Sequence, residues 1–221
     1  MNDDQVLRAA VMAELAWEPS VDAAHIGVTA HEGVVTLSGF VGSFAEKAAA
    51  ERAASRVRGV RALAEEIEVR LPNEQKRADD EIAERALRML AWDIEVPHER
   101  IKVKVEHGVV TLTGEVPRRF QREAAAADMR RLGGVRGVVN LIQVTPQVAQ
   151  GVDPDLVKQK IEAALRRSAE LEAEGVHIDV NGGQVTLRGT VRTWSERAVA
   201  ESAAWAAPGV LQVFDDLQVH P

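Results

Sequence analysis

The sequence contains no cysteine and no tyrosine, and only four Trp and four Phe among 221 residues. The first absence removes disulfide scaffolds, thiolate zinc sites and cysteine nucleophiles by counting. The scarcity of aromatics argues against a large aromatic-lined ligand pocket. No apolar run approaches the ~18 residues that span a bilayer. Nor is positive charge in excess: 27 Lys and Arg stand against 34 Asp and Glu, and a net charge of −7 argues against a nucleic-acid partner. The start, Met1-Asn2-Asp3-Asp4-Gln5, is acidic where an export signal is basic, and Val6 to Trp17 is interrupted by Arg8 and Glu14. The expectation is a cytoplasmic protein, or a periplasmic one if the sequence is a trimmed mature form.

What is present is a repeat. Gly33-Val34-Val35-Thr36-Leu37-Ser38-Gly39 returns as Gly108-Val109-Val110-Thr111-Leu112-Thr113-Gly114 and as Gly183-Gln184-Val185-Thr186-Leu187-Arg188-Gly189, each time 75 residues on. The same offset aligns Leu15, Leu90 and Leu165, and Gly59, Gly134 and Gly209. A period of 75 exceeds the roughly 20–50 residues of solenoid repeats, so each copy is expected to be a small domain with its own core. The predicted domains are 1–71, 77–146 and 152–221, joined by short polar segments that open at Pro72 and Pro146.

Within each copy the pattern predicts αββαβ. Leu7, Val11 and Leu15 form an i, i+4, i+8 stripe on a first helix, as do Ile82, Ala86, Leu90 and Val157, Ile161, Leu165. Alternation at Ile26, Val28 and Ala30 and at its counterparts predicts a strand with one buried face. The tight turn into the next strand, at Glu32-Gly33, His107-Gly108 and Gly182-Gly183, calls for left-handed backbone angles. Ser43 and Thr193 each stand three residues before a Glu, a capping box opening a second, alanine-rich helix. A last strand follows, parallel to an earlier one across the helical crossover. The fold class is α+β: three tandem domains, each a three-stranded mixed sheet with two helices packed on it.

A site built from a repeated fold should recur at equivalent positions, and no histidine does: His25 aligns with Arg100 and Gly175, His31 with Glu106 and Asn181, His107 with Glu32 and Gly182. These histidines read as surface residues, and no metal or cofactor is expected. The glycines flanking VTL lack the Lys-Ser/Thr of a phosphate loop and read as structural. Ser43 and Thr193 read as caps. Phe44 and Trp194 share one repeat position and either pack within their own domain, the simpler reading, or dock a neighbour. Trp17 and Trp92 are expected to pack at the edge of their cores.

Charge is uneven. The first and third copies hold 7 Lys and Arg against 11 Asp and Glu each, whereas residues 72–146 hold 13 against 12. Where its sisters have capping boxes the middle copy has Arg118-Arg119-Phe120-Gln121-Arg122, and cations at a helix start oppose the macrodipole. Arg119, Arg122 and Arg130 fall on one side of that helix at roughly 100° per residue, with Arg118 beside its start, while Lys102 and Lys104 face away from the apolar side of a strand. This set predicts an anion-binding surface, the alternative being a solvated face balanced by Glu115, Glu123 and Asp128.

The αββαβ unit with GxVTLxGxV, an alanine-rich helix and glycine-valine before a strand such as Val138 to Val144 resembles the BON domain, three times over nearly the whole chain, and within that family the osmotically inducible protein Y group. The resemblance implies a non-catalytic binding or scaffolding role in osmotic or envelope stress, with an anionic phospholipid surface or client proteins as partners. It also draws attention to an Asn often seen in the last strand, matched by Asn140 and replaced by Glu65 and Asp215. A small-ligand sensor or enzyme with a site between domains is the alternative.

Overall fold

The structure is a computed structural model that describes residues 3–72, 77–145, 153–167 and 175–220. The segment 146–152 and residues 73–76, which make up most of the two expected linkers, lie outside the described residues.

The first domain runs α1 (Asp3–Trp17), β1 (Ile26–His31), β2 (Val34–Val41), α2 (Phe44–Arg56) and β3 (Ala62–Val69); the second α3 (Asp79–Trp92), β4 (Ile101–Glu106), β5 (Val109–Val116), α4 (Arg119–Arg131) and β6 (Gly137–Val144); the third α5 (Pro154–Arg167), β7 (Val176–Asn181), β8 (Gln184–Val191), α6 (Trp194–Ala206) and β9 (Gln212–Val219). Each sheet keeps chain order, with the first pair antiparallel and the second parallel. The crossover helix is what permits the parallel pair, since a two-residue turn can only reverse the chain.

The helical stripes are buried as their spacing predicts: Val11, Ile82, Ala86 and Ile161 are fully enclosed, against Val35 and Leu37, Val110 and Leu112, and Val185 and Leu187 of the central strands. Truncating any of these leucines to Ala costs about 2–5 kcal/mol in lost transfer and cavity terms. The turn residues have the expected positive φ, +49° and +81° at Glu32-Gly33, +51° and +78° at His107-Gly108, and +55° and +89° at Gly182-Gly183. In the second domain the Asp79 carboxylate accepts from His107 N (2.7 Å) and Gly108 N (2.9 Å), tying the turn to the start of α3.

All nine glycines singled out from the repeat, Gly33, Gly39, Gly59, Gly108, Gly114, Gly134, Gly183, Gly189 and Gly209, have positive φ. The second motif glycine has an independent steric reason. A Cβ at Gly39 would stand 2.1 Å from the His25 carbonyl oxygen, at Gly114 2.0 Å from that of Arg100 and at Gly189 1.9 Å from that of Gly175, so no side chain fits where the first strand begins.

Two expectations fail. Trp17 and Trp92 are not core-edge residues: they are 82% and 85% exposed, because Leu15 and Leu90 already close the stripe and the next helical positions turn outward. Nor is packing at the second-helix entrance intradomain alone. Phe44 packs on the cores of both its own and the second domain, and Trp194 of the third domain packs on the core of the first.

Candidate functional site: the seams and one apolar end

Three elements converge between the domains. Helix α2 packs on both α4 and α6. Ala48, Ala49 and Ala126 are buried here although none belongs to the core of its own domain, so the small side chains of the second helices also let neighbouring domains approach. The key contacts fall at one repeat position. Phe44 reaches the second domain, Arg119 reaches the third, and Trp194 returns to the first. Each domain thus plugs into the next, and the third closes on the first in a quasi-threefold ring. At the middle step the plug is ionic: Arg119 pairs with Glu201, and its guanidinium carbon stands 5.5 Å from the Trp205 ring centroid. This pair holds the Glu201 carboxyl below its ordinary range.

A second position recurs within each domain. Lys47, Arg122 and Arg197 of the second helices face Glu65, Asn140 and Asp215 of the last strands. Lys47 Nζ lies 3.4 Å from Glu65 and donates to Ile67 O at 2.7 Å. Asn140 Nδ2 donates to Arg122 O (2.9 Å) and its Oδ1 accepts from Ile142 N (3.2 Å). Arg197 donates to Asp215 Oδ2 (2.7 Å) and to Asp215 O (3.1 Å), while Asp215 Oδ1 accepts from Leu217 N (3.0 Å). Among the described residues the last strand is an edge in every sheet, and these pairs satisfy backbone groups that would otherwise face outward unpaired. The Asn noted in the sequence is therefore one solution to an edge-capping problem that Glu and Asp also solve with a cation.

The six predicted anion-binding residues are not brought to one face. Arg119 is drawn into the seam with Glu201, and Arg122 lies half-buried near the Asn140 carbonyl at 3.4 Å, so helix geometry placed them on one side without revealing that a neighbouring domain covers it. Arg130 stands at the far end of α4, and Lys104 pairs with Glu106 at 2.9 Å. Arg118 and Lys102 remain exposed. The helix start keeps half a capping box, with Gln121 Oε1 accepting from Arg118 N at 3.2 Å.

Lys102 and Arg118 sit at the same end of the second domain as its most exposed apolar residues. Helix α3 ends there at Trp92, the turn at Asp93 to Val96 follows, β4 starts with Ile101 beside Gly114, and β5 ends just before Arg118. The turn is anchored by buried Val96 and by Asp93, which accepts from Glu95 N at 2.8 Å, so Ile94 is presented fully to solvent at 100% exposure. Trp17 occupies the equivalent end of the first domain. The signal for this end was available in the alignment of Trp17 with Trp92, outside the apolar stripe.

Two clefts of about 620 and 590 Å³ lie at equivalent seams, between the third and first domains and between the second and third. Among the described residues no group of three His, Asp or Glu is placed to hold a metal ion, and no helix is long and apolar enough to cross a membrane.

The "Osmotically-inducible protein Y" of Escherichia coli (strain K12) is 34% identical over 143 residues, covering 62% of this chain and 71% of that protein. Among solved structures, the C-terminal domain of CdsD, described as the structural protein of the Type III secretion system of Chlamydia trachomatis, is 14% identical over 97% of this chain and 98% of its own, with a TM-score of 0.27. A second CdsD structure is 15% identical, covering 98% and 93%, with a TM-score of 0.27. The BON domain profile matches residues 3–70, 78–146 and 153–221, so the chain belongs to the BON domain family, with three tandem copies and a relative among osmotically inducible proteins.

Proposed function

We propose that this protein is a non-catalytic scaffold of osmotic or envelope stress that docks peripherally on anionic phospholipid surfaces. The observation that carries the reading is the exposed apolar end of the second domain, Trp92 and Ile94, flanked by the cations Lys102 and Arg118 and repeated at Trp17. Indole rings favour the interface of a bilayer, where the apolar body is buried and the N–H stays wet. Each cation near an anionic leaflet adds about 1 kcal/mol, so Lys102 and Arg118 supply about 2 kcal/mol against the repulsion of a chain carrying −7. Binding is therefore weak, reversible and salt-sensitive.

The test is flotation with vesicles of phosphatidylcholine and phosphatidylglycerol in equal amounts, read together with tryptophan emission. Wild type floats at low salt with a blue-shifted emission. Trp92→Ala/Ile94→Ala stays with the soluble fraction, and Lys102→Glu/Arg118→Glu floats less. Equal flotation of wild type and both double variants, or none by wild type, removes the reading.

A further inference from the structure

The cleft between the third and first domains has one wall made by the C-terminal end of β9 and the other by the first domain around Val34 and Arg61. Among the described residues strand β9 pairs only with β8, which leaves its other side as an open edge there. His220 N donates to Val191 O and Gln212 N to Gly183 O, which sets the alternation: even-numbered residues of β9 bond to β8, and the backbone groups of odd-numbered ones point to the open side. Two of those outward groups are already used, Asp215 O by Arg197 and Leu217 N by Asp215 Oδ1. Beyond this cap the C=O of Leu217 and both groups of Val219 remain, at the residues that line the cleft.

The rest of the lining is rich in donors, with Glu32 as its one carboxylate. Among the described residues the buried Trp194 Nε1–H has no acceptor. Across from it the Arg61 guanidinium has no ion pair among the described residues, and His31 and His220 flank the opening. An unpaired buried donor is costly unless a ligand supplies the acceptor. Leu217 and Val219 add an apolar floor. The equivalent cleft between the second and third domains repeats the edge, with Ile142 and Val144, but carries Leu211 where this one has Arg61. The Arg61 cation thus distinguishes this cleft from the one between the second and third domains.

We infer that this cleft binds an extended acidic peptide, which adds to the open edge of β9 beside Leu217 and Val219 while a carboxylate meets Arg61. Backbone pairing gives affinity and the pocket chemistry gives selectivity, the usual division when a strand is added to a sheet. The site is separate from the lipid-docking end, and its failure leaves that reading untouched.

The experiment is fluorescence anisotropy of the full chain with a labelled heptapeptide of alternating Glu and Val. Its controls are the same peptide with Lys for Glu and one with alternate amides N-methylated. The acidic peptide is expected to bind, and each control to bind at least about tenfold more weakly. Arg61→Glu should weaken the acidic peptide by about tenfold or more. Val219→Pro removes an N–H that takes no part in the ladder with β8, so it should leave the far-UV circular dichroism unchanged and abolish binding. Equal binding of the acidic and Lys peptides, an unchanged Kd for Arg61→Glu, displacement of the peptide by millimolar inorganic phosphate, or no binding of the acidic peptide by wild type overturns the inference. The Arg61 variant and the methylated peptide decide the matter even if Val219→Pro does not fold.

Discussion

Two of the three seams are apolar and one is ionic, although a single repeat position makes all of them. Phe44 and Trp194 bury aromatic surface on a neighbour's core, whereas Arg119 pairs with Glu201 and lies against Trp205. Burial of a ring is nearly indifferent to salt and scales with the area removed from water. A half-buried ion pair depends on ionic strength and on the charge state of the carboxylate. One repeated architecture therefore has two closures that strengthen or hold as salt rises and one that loosens. The second cleft opens beside the loosening seam, with Arg122 and Trp205 in its lining.

The largest expected effect comes from removing an aromatic plug. Trp194→Ala should lower stability by roughly 2–3 kcal/mol, below the range for a fully enclosed ring because Trp194 is only half-buried. Thermal unfolding should then lose the coupling between the first and third domains, and Trp194→Phe should restore most of it. If Trp194→Ala unfolds like wild type, the third domain does not dock on the first.

The middle domain differs from its sisters at a second place, Asp128, where they have Ala53 and Ala203. Burial, together with the facing carboxylate of Asp93, pushes the Asp128 carboxyl up to about 6, with only Arg131 opposing. A raised carboxyl favours the neutral acid in the folded state, so this contribution is present below about pH 4 and lost as pH rises through about 6. Asp128→Ala should stabilise the domain by on the order of 1–2 kcal/mol at pH 7.5, after allowing for solvent screening, and the gain should vanish near pH 4. Denaturant unfolding at the two pH values measures it, and a gain that does not depend on pH would mean Asp128 is ionised without penalty.

The ionic seam should give the smallest change. Arg119→Ala is expected to cost about 1 kcal/mol at low salt and less near 1 M salt. Because Arg119 lowers the Glu201 carboxyl, the contribution is present above the ordinary carboxylate range and is lost as pH falls below it through the lowered folded-state value. A double-mutant cycle with Glu201→Gln isolates the pair. Arg119→Phe, which installs the residue type of the first domain, should keep the seam and abolish its salt dependence.

Much of the domain fold was legible because each signal is local. The apolar stripes, the paired left-handed turns and the capping residues Ser43 and Thr193 all act within a few residues of one another, and three aligned copies separate pattern from accident. Ser43 Oγ accepts from Glu46 N at 3.1 Å and Thr193 Oγ1 from Glu196 N at 3.0 Å, as the capping boxes predict. The seams were not legible for a physical reason: helix periodicity says which residues share a face and nothing about what covers it. Arg119 and Arg122 read as a surface stripe for that reason. Phe44 and Trp194 carried the available hint, two aromatics at one repeat position on helices whose inner faces were already supplied with alanine. Trp17 and Trp92 misled because large apolar residues are more often inside than out, a tendency that a docking surface breaks.

Closure of the ring is tested most directly by small-angle X-ray scattering of the full chain. Three domains of about 70 residues each have a radius of gyration near 11 Å, and a closed triangle of them gives about 18 Å, against about 23 Å for a linear row. A radius near 18 Å with a bell-shaped Kratky profile is expected for wild type, and a clear increase for Phe44→Ala/Trp194→Ala. A wild-type radius of about 23 Å or more, unchanged in the double variant, would contradict the ring.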